Sequence, residues 1–160
     1  MSSGVKKTNA MRMLDGAKIP YEVRTYEFEE TDLAGIHAAD AVGMPYETVF
    51  KTLVARGDKT GFVVFCIPVA EELDLKKAAR ASKNKSVELL HVKDLMPTTG
   101  YIRGGCSPVG MKKEFPTYID ETAMLFDAIA VSGGMRSVQL IVNPDQLLGF
   151  VKGEYVDLTA

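Results

Sequence analysis

Hydrophobic positions along this chain switch repeatedly between helical and alternating spacing. Ala10, Met11, Met13 and Leu14 follow Thr8 and stop near Gly16, which predicts a helix with a hydroxyl N-cap and a glycine end. Residues 19–28, entered through Pro20, alternate instead. Tyr21, Val23 and Thr25 lie on one face of the predicted strand, and Tyr26 and Phe28 on the other. A helix is predicted over 35–42, ending at Gly43. Residues 50–56 and 62–69 read as two strands joined by the loop Gly57-Asp58-Lys59-Thr60-Gly61. The run 62–67 is apolar on both faces and belongs at the centre of a sheet.

A helical stretch over 70–82 puts Lys76, Lys77 and Arg80 on one face, with Lys83 and Lys85 just beyond. A short apolar segment at 87–90 precedes one or two helical turns at 92–96. Strands are predicted at 118–119, 128–132 and 137–142. Asn143-Pro144 then opens a last helix, with Asn as cap and Pro at the first helical position, ending near Gly149. Helices and hairpins are interspersed without repeat, low-complexity run or linker. The expected architecture is a single α+β domain over residues 1–160, with a mixed, mostly antiparallel, curved sheet and surrounding helices.

Composition narrows the function classes. At 160 residues, 46% hydrophobic and 25% charged, the chain suits one globular domain with a substantial core. The net charge of −2 carries no global signature of a nucleic-acid binder, though a local basic patch stays open. Two cysteines are too few for a disulfide framework and fit a reducing cytoplasm, with Cys66 a small buried hydrophobe. The first seven residues lack the apolar stretch of a signal peptide, and no run of about 18 apolar residues predicts a membrane span. His37 and His91 have no metal-ligand spacing with either cysteine, so no metal is expected. Phosphate-loop and dinucleotide fingerprints are absent, so no cofactor is expected either.

Three short segments carry the candidate chemistry. Gly104-Gly105-Cys106-Ser107-Pro108 combines two glycines with a proline that holds Ser107 extended. Such a run is either a tight turn or a loop that aims backbone N–H groups at one oxygen. Lys51 stands among apolar strand residues, sharing a face with Leu53, so it lies at the sheet rim or points into a cleft. Ser132-Gly133-Gly134 follows a buried strand, where glycines form a turn or let a ligand approach the backbone. Cys106 is a candidate nucleophile, although no histidine is near it in sequence.

In order and spacing these segments resemble the YbaK family, which deacylates mischarged tRNA and is related to the editing domain of bacterial prolyl-tRNA synthetases. The resemblance runs from Thr8-Asn9-Ala10 through Ile19-Pro20, Thr25-Tyr26, Phe50-Lys51-Thr52-Leu53, Leu75-Lys76-Lys77-Ala78-Ala79 and Thr99-Gly100-Tyr101. It ends in 104–113 and Val131-Ser132-Gly133-Gly134. It implies a curved, barrel-like mixed sheet and a site without metal or protein nucleophile. The implied substrate is Cys-tRNA(Pro), whose cysteine thiol would attack its own ester; alternatives are alanine removal or a non-catalytic regulator binding tRNA or a synthetase. By the same resemblance Lys51 contacts the tRNA 3′ end, and the backbone of Gly105, Cys106 and Ser107, between Gly104 and Pro108, holds the aminoacyl carbonyl. Tyr26, Thr52, Ser132, Gly133 and Gly134 line the pocket. Gln139 stands seven residues after Ser132, where family members often carry an acid. Prolyl-tRNA synthetase is the implied protein partner.

Overall fold

The structure, a computed structural model, describes residues 6–26 and 43–160. Helix α1 (Asn9–Gly16) begins where Thr8 Oγ1 accepts the Met11 N–H at 3.2 Å. Strand β1 (Tyr21–Thr25) occupies the middle of the predicted 19–28 window. The helix predicted over 35–42, Phe28 and His37 lie outside the described residues.

Strands β2 (Phe50–Gly57) and β3 (Gly61–Pro68) form the predicted antiparallel hairpin, in register from Phe50–Pro68 to Gly57–Gly61. Strand β3 is the centre of a five-stranded sheet ordered β4-β2-β3-β5-β8. In it β4 is Val87–Leu89, β5 is Thr117–Asp120 and β8 is Glu154–Val156. Strands β6 (Ile129–Ser132) and β7 (Val138–Val142) join β1 in an antiparallel sheet ordered β1-β7-β6. Among the described strands, β3–β5 and β5–β8 pair in parallel and the other four pairs are antiparallel, so the pairing is mixed and mostly antiparallel, as predicted. Among the described residues the expected single sheet is two sheets, joined by a parallel bridge between Val49 and Ala130. Periodicity sets the face each residue shows, not which strands pair, and β4 and β8 are too short to show a period at all.

Helix α2 (Leu75–Ala81) starts five residues later than predicted. The Asp74 carboxylate accepts the N–H groups of Lys76 and Lys77, while its own N–H donates to Leu158 O at 2.8 Å. Those bonds hold Asp74 extended, and Leu73 bridges to Thr159, so 70–74 cannot be helical. Helix α3 (Val92–Thr99) continues through Pro97 and closes at Gly100, whose φ is 88°. Helix α4 (Pro144–Val151) is capped by Asn143 as expected but passes Gly149 and ends at Lys152.

The main core lies between the two sheets, α1 and α4. It holds Ala10, Met11, Leu14, Phe50, Val54, Cys66, Leu140 and Leu147. A second core packs Ala78 and Ala79 of α2 on the other face of the large sheet, against Ala55, Phe65 and Ile67. A third, small cluster joins Val49, Val69 and Ala130 with Tyr26, Met44 and Ile141. No helix among the described residues is long and apolar enough to cross a membrane.

Candidate functional site

Strand alternation places the site residues. Phe50 and Val54 face the main core, whereas Val49 packs with Val69 and Ala130 and Ala55 packs under α2. Lys51 therefore emerges on the Val49 side, opposite Ile67. The Val49–Ala130 bridge is parallel, and Lys51 and Ser132 each stand two residues past it, on the side of their strand that carries Val49 and Ala130. Ser132 pairs with Gln139, and Gln139 with Arg24. Tyr26 closes the row, its N–H donating to Ser137 O at 3.0 Å. Tyr26, Lys51, Ser132 and Gln139 thus share one face, floored by Val49, Ala130 and Ile141. Thr52 does not join them. It faces the main core, with its Oγ1 3.8 Å from Cys66 Sγ.

The electrostatics of this face are unequal. Lys51 is half-buried, and burial pushes its ammonium below the usual lysine range while Glu72 and Glu71 pull it back up. Gln139 is 6% exposed, and its Oε1 has no hydrogen-bond partner among the described residues. A buried acceptor left unpaired costs stability, which makes it a natural landing point for a donor from outside the chain.

The glycine loop meets this face through the segment that follows Ser132. Gly104 has φ 86°, and the Gly105 N–H donates to Ile102 O at 3.0 Å, closing the turn. A Cβ on Gly105 would lie 3.1 Å from Arg136 N and 3.2 Å from Met135 C, so the two loops touch backbone to backbone. Arg136 Nε donates to Arg103 O at 2.8 Å across the same junction. Ser132 Oγ accepts the Gly134 N–H at 3.2 Å, and the Gly133 N–H donates to Val138 O at 2.9 Å. The two glycine segments therefore belong to one structure.

Within the loop, backbone amides and side chains are bonded unequally. The Gly105 amide donates to Ile102 O, so it is not a free donor in the loop. The N–H groups of Cys106 and Ser107 have no acceptor among the described residues, and they remain the free donors. Cys106 is 8% exposed with its side chain in the main core, and burial pushes its thiol up to about 12. It is a packing residue, poorly suited to attack. Cys66 is a buried hydrophobe, as predicted, its thiol also pushed up to about 12. Ser107 is fully buried, its Oγ accepting the Val109 N–H at 3.2 Å.

Tyr101, which sequence reasoning does not single out, packs between the two glycine segments and the main core. Its hydroxyl donates to Val109 O at 2.5 Å, and its ring edge would lie 3.1 Å from a Cβ on Gly134. An aromatic residue three positions before a Gly-Gly pair was the available signal. His91 lies at the start of α3. Among the described residues no group of three histidine, cysteine or acidic side chains stands ready to hold a metal ion.

The model of the aminoacyl-tRNA editing domain matches residues 32–150, and this chain belongs to that family. It is 50% identical over 154 residues to the Enterococcus faecalis protein named "Putative Cys-tRNA(Pro)/Cys-tRNA(Cys) deacylase EbsC", covering 96% of this chain and 94% of that one. A solved structure described as "a putative trans-editing enzyme for prolyl tRNA synthetase" is 25% identical, with TM-score 0.80 over 98% of this chain and 99% of that one. The fold alone is shared with hypothetical protein APE2540, at 17% identity and TM-score 0.86, covering 96% of this chain and 100% of that one. The α+β fold is that of the editing domains.

Proposed function

We propose that this protein removes cysteine from mischarged Cys-tRNA(Pro) in trans. The observation that carries this reading is the half-identity, across nearly the full length, with a relative whose name states that activity. Three features of the site support it. The loop cysteine is buried as a thiol, which suits a reaction whose nucleophile is the substrate's own thiol. Two backbone N–H groups, of Cys106 and Ser107, are free to hold an oxyanion. A half-buried Lys51 supplies a cation for the 3′-terminal nucleotide.

The step balances as follows. The thiol of the esterified cysteine attacks its own ester carbonyl, forming a C–S bond and an oxyanion held by the two amides. The ester C–O bond then breaks. The ribose oxygen leaves with the proton from the thiol, freeing tRNA and a cyclic thioester. The protein positions the reacting groups and stabilises charge. Gln139 Oε1 accepts a hydrogen bond from the substrate's α-ammonium, and its neutral amide adds no charge pairing.

A deacylation panel with cysteinyl-, alanyl-, seryl- and prolyl-tRNA tests this. Cysteine should be released and serine, a poorer nucleophile of the same shape, retained. Equal release of both would sink the thiol-assisted step, and preferential release of alanine would replace the substrate.

A further inference from the structure

The cations of α2 belong to no part of the site so far described. Lys76 and Arg80 are exposed and four residues apart, hence on one side of the helix. Lys83 continues the row, its N–H donating to Arg80 O at 3.2 Å. Lys77 turns away to pair with Asp157 at 2.8 Å. Beyond the helix, a buried hub gathers more charge. Asn84 Oδ1 accepts the N–H groups of Lys59 and Thr60, and its Nδ2 donates to Thr60 Oγ1 and Ser82 Oγ. Asp58 Oδ1 accepts the N–H groups of Lys85 and Ser86. Gly57 is a glycine here because a Cβ would overlap the Asn84 amide at 2.2 Å. These bonds fix the β2–β3 turn to the segment after α2 and bring Lys59, Lys83 and Lys85 together.

Lys59, Lys76, Arg80, Lys83 and Lys85 are all exposed, and none makes an ion pair among the described residues. Asp58 and Asp74 are acids beside the group, Asp58 next to Lys59 and Asp74 next to Lys76. Helix α2 packs on the sheet face from which Lys51 emerges. Glu71 and Glu72, just before α2, act electrostatically on Lys51, whereas the far end of the helix docks on the turn after Gly57. Six strand steps separate Lys51 from Gly57, about 20 Å at ~3.3 Å per residue. The unpaired cations therefore form a track leading away from Lys51.

We infer that this track holds the sugar–phosphate backbone of the substrate RNA whose 3′ end lies at Lys51; this rests on the reading above that the substrate is an aminoacyl-tRNA. A row of fixed, unpaired cations gains affinity by releasing counterions from phosphates, even on a chain whose net charge is −2. Segments 58–60 and 76–85 contain no aromatic residue to stack on a base. The contact is thus with backbone and blind to sequence.

The test is a variant carrying Lys76→Gln, Arg80→Gln and Lys85→Gln, with its melting temperature checked against wild type. Binding of uncharged tRNA is followed by fluorescence anisotropy from 50 to 200 mM KCl. The log K against log salt slope should become shallower by about 2 to 3, at roughly 0.7–0.9 per lost phosphate contact. Affinity at the low-salt end should fall at least tenfold. KM for full-length aminoacyl-tRNA should rise with kcat unchanged, while the aminoacyl ester of a CCA trinucleotide should be cleaved as by wild type. An unchanged salt slope in a folded variant overturns the inference, and so does an equal loss on the trinucleotide. Lost binding to prolyl-tRNA synthetase with tRNA binding intact would assign the track to a protein and overturn it too. If wild type cleaves none of these esters, the proposed function fails while the salt slope still decides the track. Lys59→Gln alone gives a second reading of the slope, expected to change by about 0.7–0.9.

Discussion

Gly105→Ala probes the junction on which the proposed site depends. The added methyl would meet three backbone atoms, Arg136 N, Met135 C and Met135 Cα, at 3.1, 3.2 and 3.3 Å. These atoms cannot swing aside as a side chain would, so the segment after β6 has to retreat by a few tenths of an ångström. Overpacking of this kind costs about 1–3 kcal/mol. The reduced freedom of the unfolded chain returns about 0.4–1 kcal/mol. A net loss of about 1–2 kcal/mol in a domain of this size lowers Tm by roughly 2–8 °C. The shift also moves the Cys106 and Ser107 amides relative to Ser132, and kcat for cysteine release should drop about tenfold or more. Gly149→Ala is the matched control. It lies inside α4 with nothing but its chain neighbours and the helix's own backbone within 4 Å of the new methyl, and should raise stability by about 1 kcal/mol with kcat unchanged. Thermal melts and single-turnover deacylation of both variants decide the matter. A Gly105→Ala protein that melts at or above wild type with full kcat would refute the claim that the two loops position each other.

Lys51→Met should lower kcat/KM about 100-fold, with Tm unchanged or raised because a half-buried charge is removed. The pH profile gives an independent check. Burial holds the Lys51 ammonium below the ordinary value of 10.5, so an activity that needs the cation should fade on the alkaline side before that pH. A flat alkaline limb would remove Lys51 from the chemistry. Gln139→Leu removes the unpartnered buried acceptor and should stabilise the fold by about 1 kcal/mol while raising KM; lower stability would mean that Oε1 was satisfied after all. Cys106→Ala should keep kcat within about twofold. In native wild type at pH 8, Cys66 and Cys106 should resist iodoacetamide until denaturant is added, because their thiols are buried and protonated. Rapid native labelling of Cys106 would revive it as a nucleophile.

Much of the fold was legible because local chemistry agreed with it. Thr8 and Asn143 cap helices as their side chains allow, the 62–67 run is central because both its faces are apolar, and the 57–61 turn closes a hairpin in register. Helix α2 was misplaced at its start because the bond from Asp74 N–H to Leu158 O is made to a residue 84 positions away, which no local pattern records. The candidate site was legible as residue types and illegible as an arrangement. Lys51 and Thr52 are neighbours in sequence yet face opposite sides of β2. Alternation stated this, but which side holds the site depends on the bridge between Val49 and Ala130.

By itself, the sequence determined the caps, the hairpin, the faces of each strand and the two glycine segments, since all of these follow from bonds and sterics within a few residues. The tertiary structure alone decided that the 104–108 loop touches the turn after Gly134 and that Gly105's amide is spent while those of Cys106 and Ser107 have no acceptor among the described residues. It also decided that Cys106 is core, that Gln139 Oε1 stands alone, and that the cations of α2 lead away from Lys51. Each of these turns on contacts between residues distant in the chain or on what burial leaves unpaired, and neither is written in local periodicity.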